Sequence, residues 1–248
     1  MSHGLNLAYT GLEVRRTLKK AVTLFFCFAM PIGFYLAFGA AFGDQPAGTG
    51  NVDAVILALM GLYGSCMTTT TAAIGVAMER PLGWNRQLRL TPLRPWAYVA
   101  TKLVAGLVAA FCAVLVLYVV GVIRHAAEMP GAVWALTFVL AWLGGLTFSG
   151  IGLFIAMLCR GDTATAVAVP VLMICAVLSG CFQLPLSGAF FDTAQRIVPM
   201  GGPVRLIMAR FGPDALVADG WDWANTIGWI VLGLAAAIWA FARDTQRQ

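Results

Sequence analysis

Charge is what this sequence has least of. Only 11% of its 248 residues are Asp, Glu, Lys or Arg, against 60% apolar, and the mean hydropathy is +0.83. Soluble domains carry about 25% charged residues, so that class is excluded and the chain reads as an integral membrane protein. Histidine is scarcer still, with His3 near the start and His125 between two apolar runs. The six cysteines, Cys27, Cys66, Cys112, Cys159, Cys175 and Cys181, stand in apolar stretches or at their ends. They form no Cys-x-x-Cys pair and no Cys/His cluster, so they read as small buried hydrophobes and no metal site is expected.

Other absences bear on energy and chemistry. A phosphate-cradling loop requires Gly-Lys followed by Ser or Thr, and none of the three lysines, Lys19, Lys20 and Lys102, has that setting. The chain is therefore expected to hydrolyse no ATP itself. An ion-coupled carrier usually keeps an acidic residue or His inside the membrane, and none of the long apolar runs contains one. An intramembrane serine protease needs a nucleophilic Ser and a His on another span. Thr147-Phe148-Ser149-Gly150 only half resembles the nucleophile setting, and neither histidine can act as its base.

What the chain does contain is six apolar runs, near 21–42, 55–78, 100–123, 133–159, 164–186 and 225–242. A span needs about 20 apolar residues at about 1.5 Å each. The expected fold is an all-α integral membrane protein with six transmembrane helices, one domain over residues 1–248. Lys102 lies close enough to the end of the third run to snorkel, the long fourth run should tilt, and Pro31 and Pro170 should kink the first and fifth. Some twenty mixed residues precede the first run, so the N-terminus does not read as a cleaved signal. Residues 1–20 fit either a short helix lying in the interface or a plain positive flank.

Alternate connections divide the sixteen Lys and Arg residues twelve to four. The basic side comprises both termini, the 79–102 stretch and the Arg160 turn; the other side has Arg124, Arg196, Arg205 and Arg210. The inside-positive bias therefore puts both termini in the cytoplasm. This asymmetry accounts for most of the net charge of +5, with no need for a nucleic acid partner. On the outside, residues 43–54 read as a loop bearing Asp44 and Asp53. The connection 187–224 reads as two short helices broken at Gly201-Gly202 and half inserted. Trp221, Trp223 and Trp229 are expected at the outer interface.

Two features carry the functional reading. Thr68, Thr69, Thr70 and Thr71 lie midway along the second run, and Ser149 lies among Gly144, Gly145, Gly150 and Gly152 in the fourth. Such residues either let helices pack closely or line a substrate path. The second feature is the polar stretch 79–102, with five basic residues and one acid, Glu79. Trp84, Gln87 and Leu88 fall at helical spacing, which predicts an amphipathic helix over 82–90, stopped by Thr91-Pro92. Its arginines either meet anionic headgroups or dock another protein.

Glu79, Arg80, Gly83, Leu88, Thr91, Pro92, Leu93 and Lys102 stand in the order and spacing of the segment joining the second and third spans in ABC type-2 exporter permeases, which this stretch resembles. The resemblance implies a coupling helix on the cytoplasmic side, a re-entrant helical pair before the sixth span, and separate ABC ATPase subunits. It also implies a second permease chain, identical or paralogous, in a bacterial cytoplasmic membrane. No cofactor is expected on this chain, with ATP and Mg on the partner ATPase. The residues expected to couple to the ATPase are Glu79, Arg80, Gly83, Arg86, Leu88, Arg89, Thr91, Pro92 and, at a second contact, Arg160. An uncharged pathway suits export of an amphipathic drug, antibiotic or lipid-like compound; a polysaccharide is the alternative cargo, and an ion-coupled carrier the alternative mechanism.

Overall fold

A computed structural model describes residues 11, 25–79, 95–159, 161–184, 188–212 and 218–246. The described chain is helical apart from one two-stranded ribbon, as the apolar runs require. Without water, backbone N–H and C=O groups must find partners within their own segment. A wide turn at Phe25–Ala29 opens into α1 (Met30–Phe42). The strands β1 (Pro46–Ala47) and β2 (Gly50–Asn51) form an antiparallel pair with Pro46 opposite Asn51. Then follow α2 (Val52–Glu79), α3 (Pro95–Arg124), α4 (Gly131–Gly144), α5 (Leu146–Leu158) and α6 (Asp162–Leu178). Two short helices, α7 (Ala189–Ile197) and α8 (Gly201–Met208), precede α9 (Gly220–Gln246). Among the described residues, four stretches are long and apolar enough to cross a membrane: Val52–Met78, Ala100–Arg124, Gly131–Leu158 and Gly220–Ala240. Cys27–Phe42 and Asp162–Leu178 are shorter apolar helices.

The bundle is built around α2. Its residues 53–70 are all buried, the behaviour of a helix that is apolar on every side. It touches α1, α3, α4, α5, α6 and α8. Small residues set how closely these neighbours approach, since packing rather than exclusion from water holds helices together in lipid. On one side, Gly152 of α5 crosses α2 at Thr70 and Ala73; on the other, Gly150 lies against the backbone of Gly233 in α9. A side chain at Gly150 would overlap that backbone, so α5 is held between two partners. Between α3 and α4 the packing is aromatic instead. Phe138 meets Phe111 and Tyr118 edge to face, with ring centroids 5.5 and 5.2 Å apart, within the usual range for such pairs.

Several expectations change. The fourth run is a single stretch in the sequence, but α4 and α5 are separated at Gly145. Carbonyls at this break are taken up by neighbours: Ser65 Oγ donates to Trp142 O at 2.8 Å and Thr69 Oγ1 to Gly145 O at 2.7 Å. The fifth run, expected to reach 186, stops being helical at Leu178. Gly180, at φ +77°, ends it, with Cys181 N donating back to Ala176 O and Gly180 N to Val177 O, both at 3.1 Å. This pairing is the Schellman arrangement, which favours glycine because the left-handed conformation disfavours a Cβ.

Pro31 acts through a wide turn ahead of it. Proline clashes with the carbonyl four residues back, here Cys27, which lies in the wide turn, a rare form found mostly as a bulge in longer helices. Pro170 sits within α6, which continues past it. Lys102 does not snorkel to the surface; it is 2% exposed and is not without a partner. The break between α7 and α8 falls at 198–200, because Val198 is extended ahead of Pro199. Gly201 and Gly202 open α8, where a Cβ would overlap Gln195 O and Asp222 O respectively.

Candidate functional site

The expected coupling residues Arg80, Gly83, Arg86, Leu88, Arg89, Thr91, Pro92 and Arg160 lie outside the described residues. Glu79 is the last residue of α2, and Gly161 N donates to Ala77 O at 3.3 Å, tying the turn after α5 to that same end. Gly161 has φ +55°, and α6 starts immediately after it with Asp162 in its first turn. An acid there faces the positive end of the helix dipole.

The hydroxyl cluster is fully placed. Thr68, Thr69 and Thr70 are at most 2% exposed and Ser149 is 3% exposed, whereas Thr71 is only partly buried. Thr68 Oγ1 donates to Gly64 O at 2.7 Å, Thr71 Oγ1 to Met67 O at 2.8 Å and Ser149 Oγ to Leu146 O at 2.7 Å, each within its own helix. Thr69 also donates across, to Gly145 O, and Thr71 Oγ1 accepts from Cys27 Sγ of the wide turn at 3.6 Å. An interhelical bond of this kind is worth about 0.6 kcal/mol on average in a membrane protein. Thr70 Oγ1 is buried with no hydrogen-bond partner among the described residues. The geometry joins α2 to the α4–α5 break.

At the opposite end of α2 the structure gathers charges that the sequence reading separated. Asp53 belongs to the first turn of α2, not to a loop, and is 0% exposed. Its Oδ2 accepts a 2.6 Å hydrogen bond from Tyr35 of α1, and its Oδ1 pairs with Arg124 of α3 at 3.3 Å. The Arg124 guanidinium lies 5.1 Å from the Tyr35 ring centroid, a cation–π distance. Gly39 and Gly43 make the space, since a Cβ on Gly39 would overlap Asp53 and Arg124 and one on Gly43 would crowd Asp53. That Gly-x-x-x-Gly spacing, opposite an acid and an Arg at the ends of neighbouring runs, is the signal that could have found the cluster.

A second ion pair lies nearby. Arg205 Nε of α8 donates to Asp222 Oδ1 of α9 at 2.7 Å, with side-chain exposures of 10% and 1%. Asp222 also accepts from Asp219 N through Oδ2, while Asp219 Oδ1 accepts from Asp222 N, both at 3.1 Å. This is a reciprocal cap on the start of α9. Asn225 takes Gly202 N with its oxygen and gives its amide to the carbonyls of Arg196 and Ile197. The indoles of Trp221 and Trp229 donate to those same two carbonyls, at 2.9 and 2.7 Å. The open end of α7 is thus stapled to α9. Because a buried acid in a membrane helix is usually functional, the pairing matters: Asp53 and Asp222 each have an arginine partner, the arrangement of a structural contact.

Between α1, the first turns of α2 and the chain just after α6 is a cleft of about 440 Å³. Phe38, Phe42, Ile56, Met60 and Phe182 form much of its wall. Phe182 is fixed by Phe34, edge to face at 5.5 Å, and by Tyr63 at 5.3 Å. No group of three or more His, Cys, Asp or Glu side chains able to hold a metal occurs among the described residues.

The comparisons with known proteins agree with this picture. A family model described as ABC-2 type transporter matches residues 7–210. A Bacillus subtilis (strain 168) protein, named as a transport permease, YvfS, is 24% identical over 173 residues, which cover 69% of this chain and 70% of that protein. With most of its length matched and long apolar helices around a buried central one, the chain belongs to the ABC-2 type transporter family as a membrane permease, a transport subunit and not itself the ATPase.

Proposed function

We propose that the chain is the membrane subunit of an ATP-driven exporter, moving an amphipathic drug, antibiotic or lipid-like compound with energy from a separate ABC ATPase bound at the 79–102 connection. The observation that carries this reading is the family match, which runs through that connection in a sequence lacking any phosphate-binding loop. Six spans follow if α1 and α6 cross beside the four longer helices. With 17 residues, α6 reaches roughly 26 Å at 1.5 Å per residue, slightly short of a 30 Å hydrocarbon core. The α7–α8 pair would enter from the outside to fill that shortfall. Two of the four basic residues assigned to the outer side, Arg124 and Arg205, are neutralised by Asp53 and Asp222. The twelve-to-four division of Lys and Arg, which counts basic residues and not net charge, supports an outward Asp53 end and cytoplasmic termini.

In the mechanism, a second copy or a paralogue completes the pathway, and ATP with Mg is bound by the ATPase chains. Their closure moves the 82–90 helix, and α2, which continues from it through Glu79, carries the movement into its six neighbours and shifts the access state. Topology is tested with a Gln87→Cys variant and a membrane-impermeant maleimide, using the wild-type chain as background. Labelling is expected only after the membrane is opened. Labelling in intact cells places the connection outside and overturns the reading.

A further inference from the structure

The turn Gly180–Leu184 has cavities of opposite character on its two faces. On one side is the apolar cleft of about 440 Å³. On the other is a recess of about 170 Å³, lined by Ser179, Gln183, Gln195, Val204 and Met208 among others. Gln183 and Leu184 line both. The divider is held in place by its backbone. Gly180 is left-handed, and a Cβ there would come within 3.3 Å of the Gln195 amide. Gln183 is also left-handed, at φ +52°, with its Nε2 donating to Gly180 O at 3.0 Å. A non-glycine residue in that region is uncommon, and here it keeps an exposed amide at the junction of the two chambers.

Among the described residues, no charged side chain lines either chamber. An ionic headgroup in the recess would give up part of its water without gaining a counter-charge from them. A hydroxyl headgroup, or the N–H of an amide one, can donate to the side-chain oxygen of Gln183, whose Nε2 is taken up by Gly180 O and Met208 Sδ, with the Gln195 amide beside it in the recess. The cleft falls within the roughly 300–1,000 Å³ of small-molecule sites, which pair an apolar wall with a few placed polar groups. We infer that the two chambers form one binding site for an amphiphile, its apolar body against Phe38, Phe42 and Met60 and its uncharged hydroxyl- or amide-bearing headgroup at Gln183 and Gln195. This rests on the transport reading only in naming the cargo class; the site would equally hold a resident membrane lipid of the same chemistry.

The test uses the full chain in nanodiscs of phosphatidylethanolamine and phosphatidylglycerol. The probe is dodecyl β-glucoside carrying a diazirine on its chain, with crosslinks mapped by peptide mass spectrometry. Crosslinks are expected to concentrate at 38–42, 56–60 and 182–184. Unlabelled dodecyl glucoside should compete at least tenfold better than dodecyl sulfate. Ile56→Trp fills the cleft and should remove most of the labelling. Gln183→Asn, which keeps a residue tolerant of the left-handed backbone at an exposed position, should weaken glucoside competition about fivefold, the scale of one neutral hydrogen bond. Equal competition by the charged headgroup, labelling as strong on the exposed face of α3 as in the cleft, or a disulfide between two Leu184→Cys copies that closes the cleft would each overturn the inference. A co-purifying lipid displaced by the glucoside identifies a resident lipid, and probe release on ATP turnover with the ATPase present identifies cargo; either keeps the site. Labelling requires no ATP, so its failure leaves the transport reading standing, and failure of transport leaves the labelling intact.

Discussion

Leu88→Pro should abolish substrate-stimulated ATP hydrolysis by the reconstituted complex while the chain still inserts and is recovered at wild-type levels. The expected effect is this large because the 82–90 segment has to behave as a lever. Trp84, Gln87 and Leu88 fall at the spacing of one helical face, and a proline in the interior of so short a helix would cost about 3 kcal/mol, more than it could withstand. Insertion is spared because the long apolar helices lie on either side of the segment. Arg86→Glu and Arg89→Glu act on the contact instead, replacing attraction at the ATPase surface with repulsion, and should produce the same uncoupling. Coupling unchanged in all three variants defeats the docking proposal.

Asp222→Ala should destabilise the folded protein by about 3–5 kcal/mol, the cost of stranding a buried partner charge. Arg205 lies in α8, where residues 201–207 are all buried, and its own side chain is only 10% exposed, so its guanidinium has little access to water. The same substitution removes one half of the reciprocal cap on α9, the bond from Asp219 N to Asp222 Oδ2, at a further cost of about 1 kcal/mol, while Asp219 Oδ1 still accepts from the backbone N–H at 222. Adding Arg205→Met should recover most of the first loss and none of the second. Thermal unfolding in detergent, followed across the four-member cycle, separates the two. A single Asp222→Ala variant that melts with the wild type would remove this pair from the account of how α8 is held.

The broad architecture was legible because apolar runs and their punctuation depend only on local composition. The existence of α1 to α6 and α9, and a helical pair broken close to Gly201, could be read from the sequence. Features that depend on two distant segments meeting could not. Asp53 marks a loop on any hydropathy reading, and it enters α2 where Gly39 and Gly43 leave room, Arg124 offsets its charge and Tyr35 donates to its Oδ2. The break at Gly145 is invisible for a similar reason. Its glycines are as apolar as their neighbours, and the hydroxyls that make it tolerable, on Ser65 and Thr69, lie some 75 residues away. Lys102 is buried at 2% exposure, which its place near the end of an apolar run does not foretell. The hydroxyl run was legible as a site of polar contact, and its placement favours packing over an open path. The cleft has no local signature at all, since its wall comes from α1, α2 and the turn after α6.

Transport of a fluorescent amphipathic compound into proteoliposomes tests the division of labour between this permease and its ATPase most directly. The permease is reconstituted alone, with its ATPase, and with an ATPase unable to hydrolyse ATP. The account predicts accumulation only in the complete complex with ATP, blocked by vanadate and indifferent to a protonophore. Accumulation by the permease alone, or accumulation that survives vanadate and collapses with the protonophore, contradicts it.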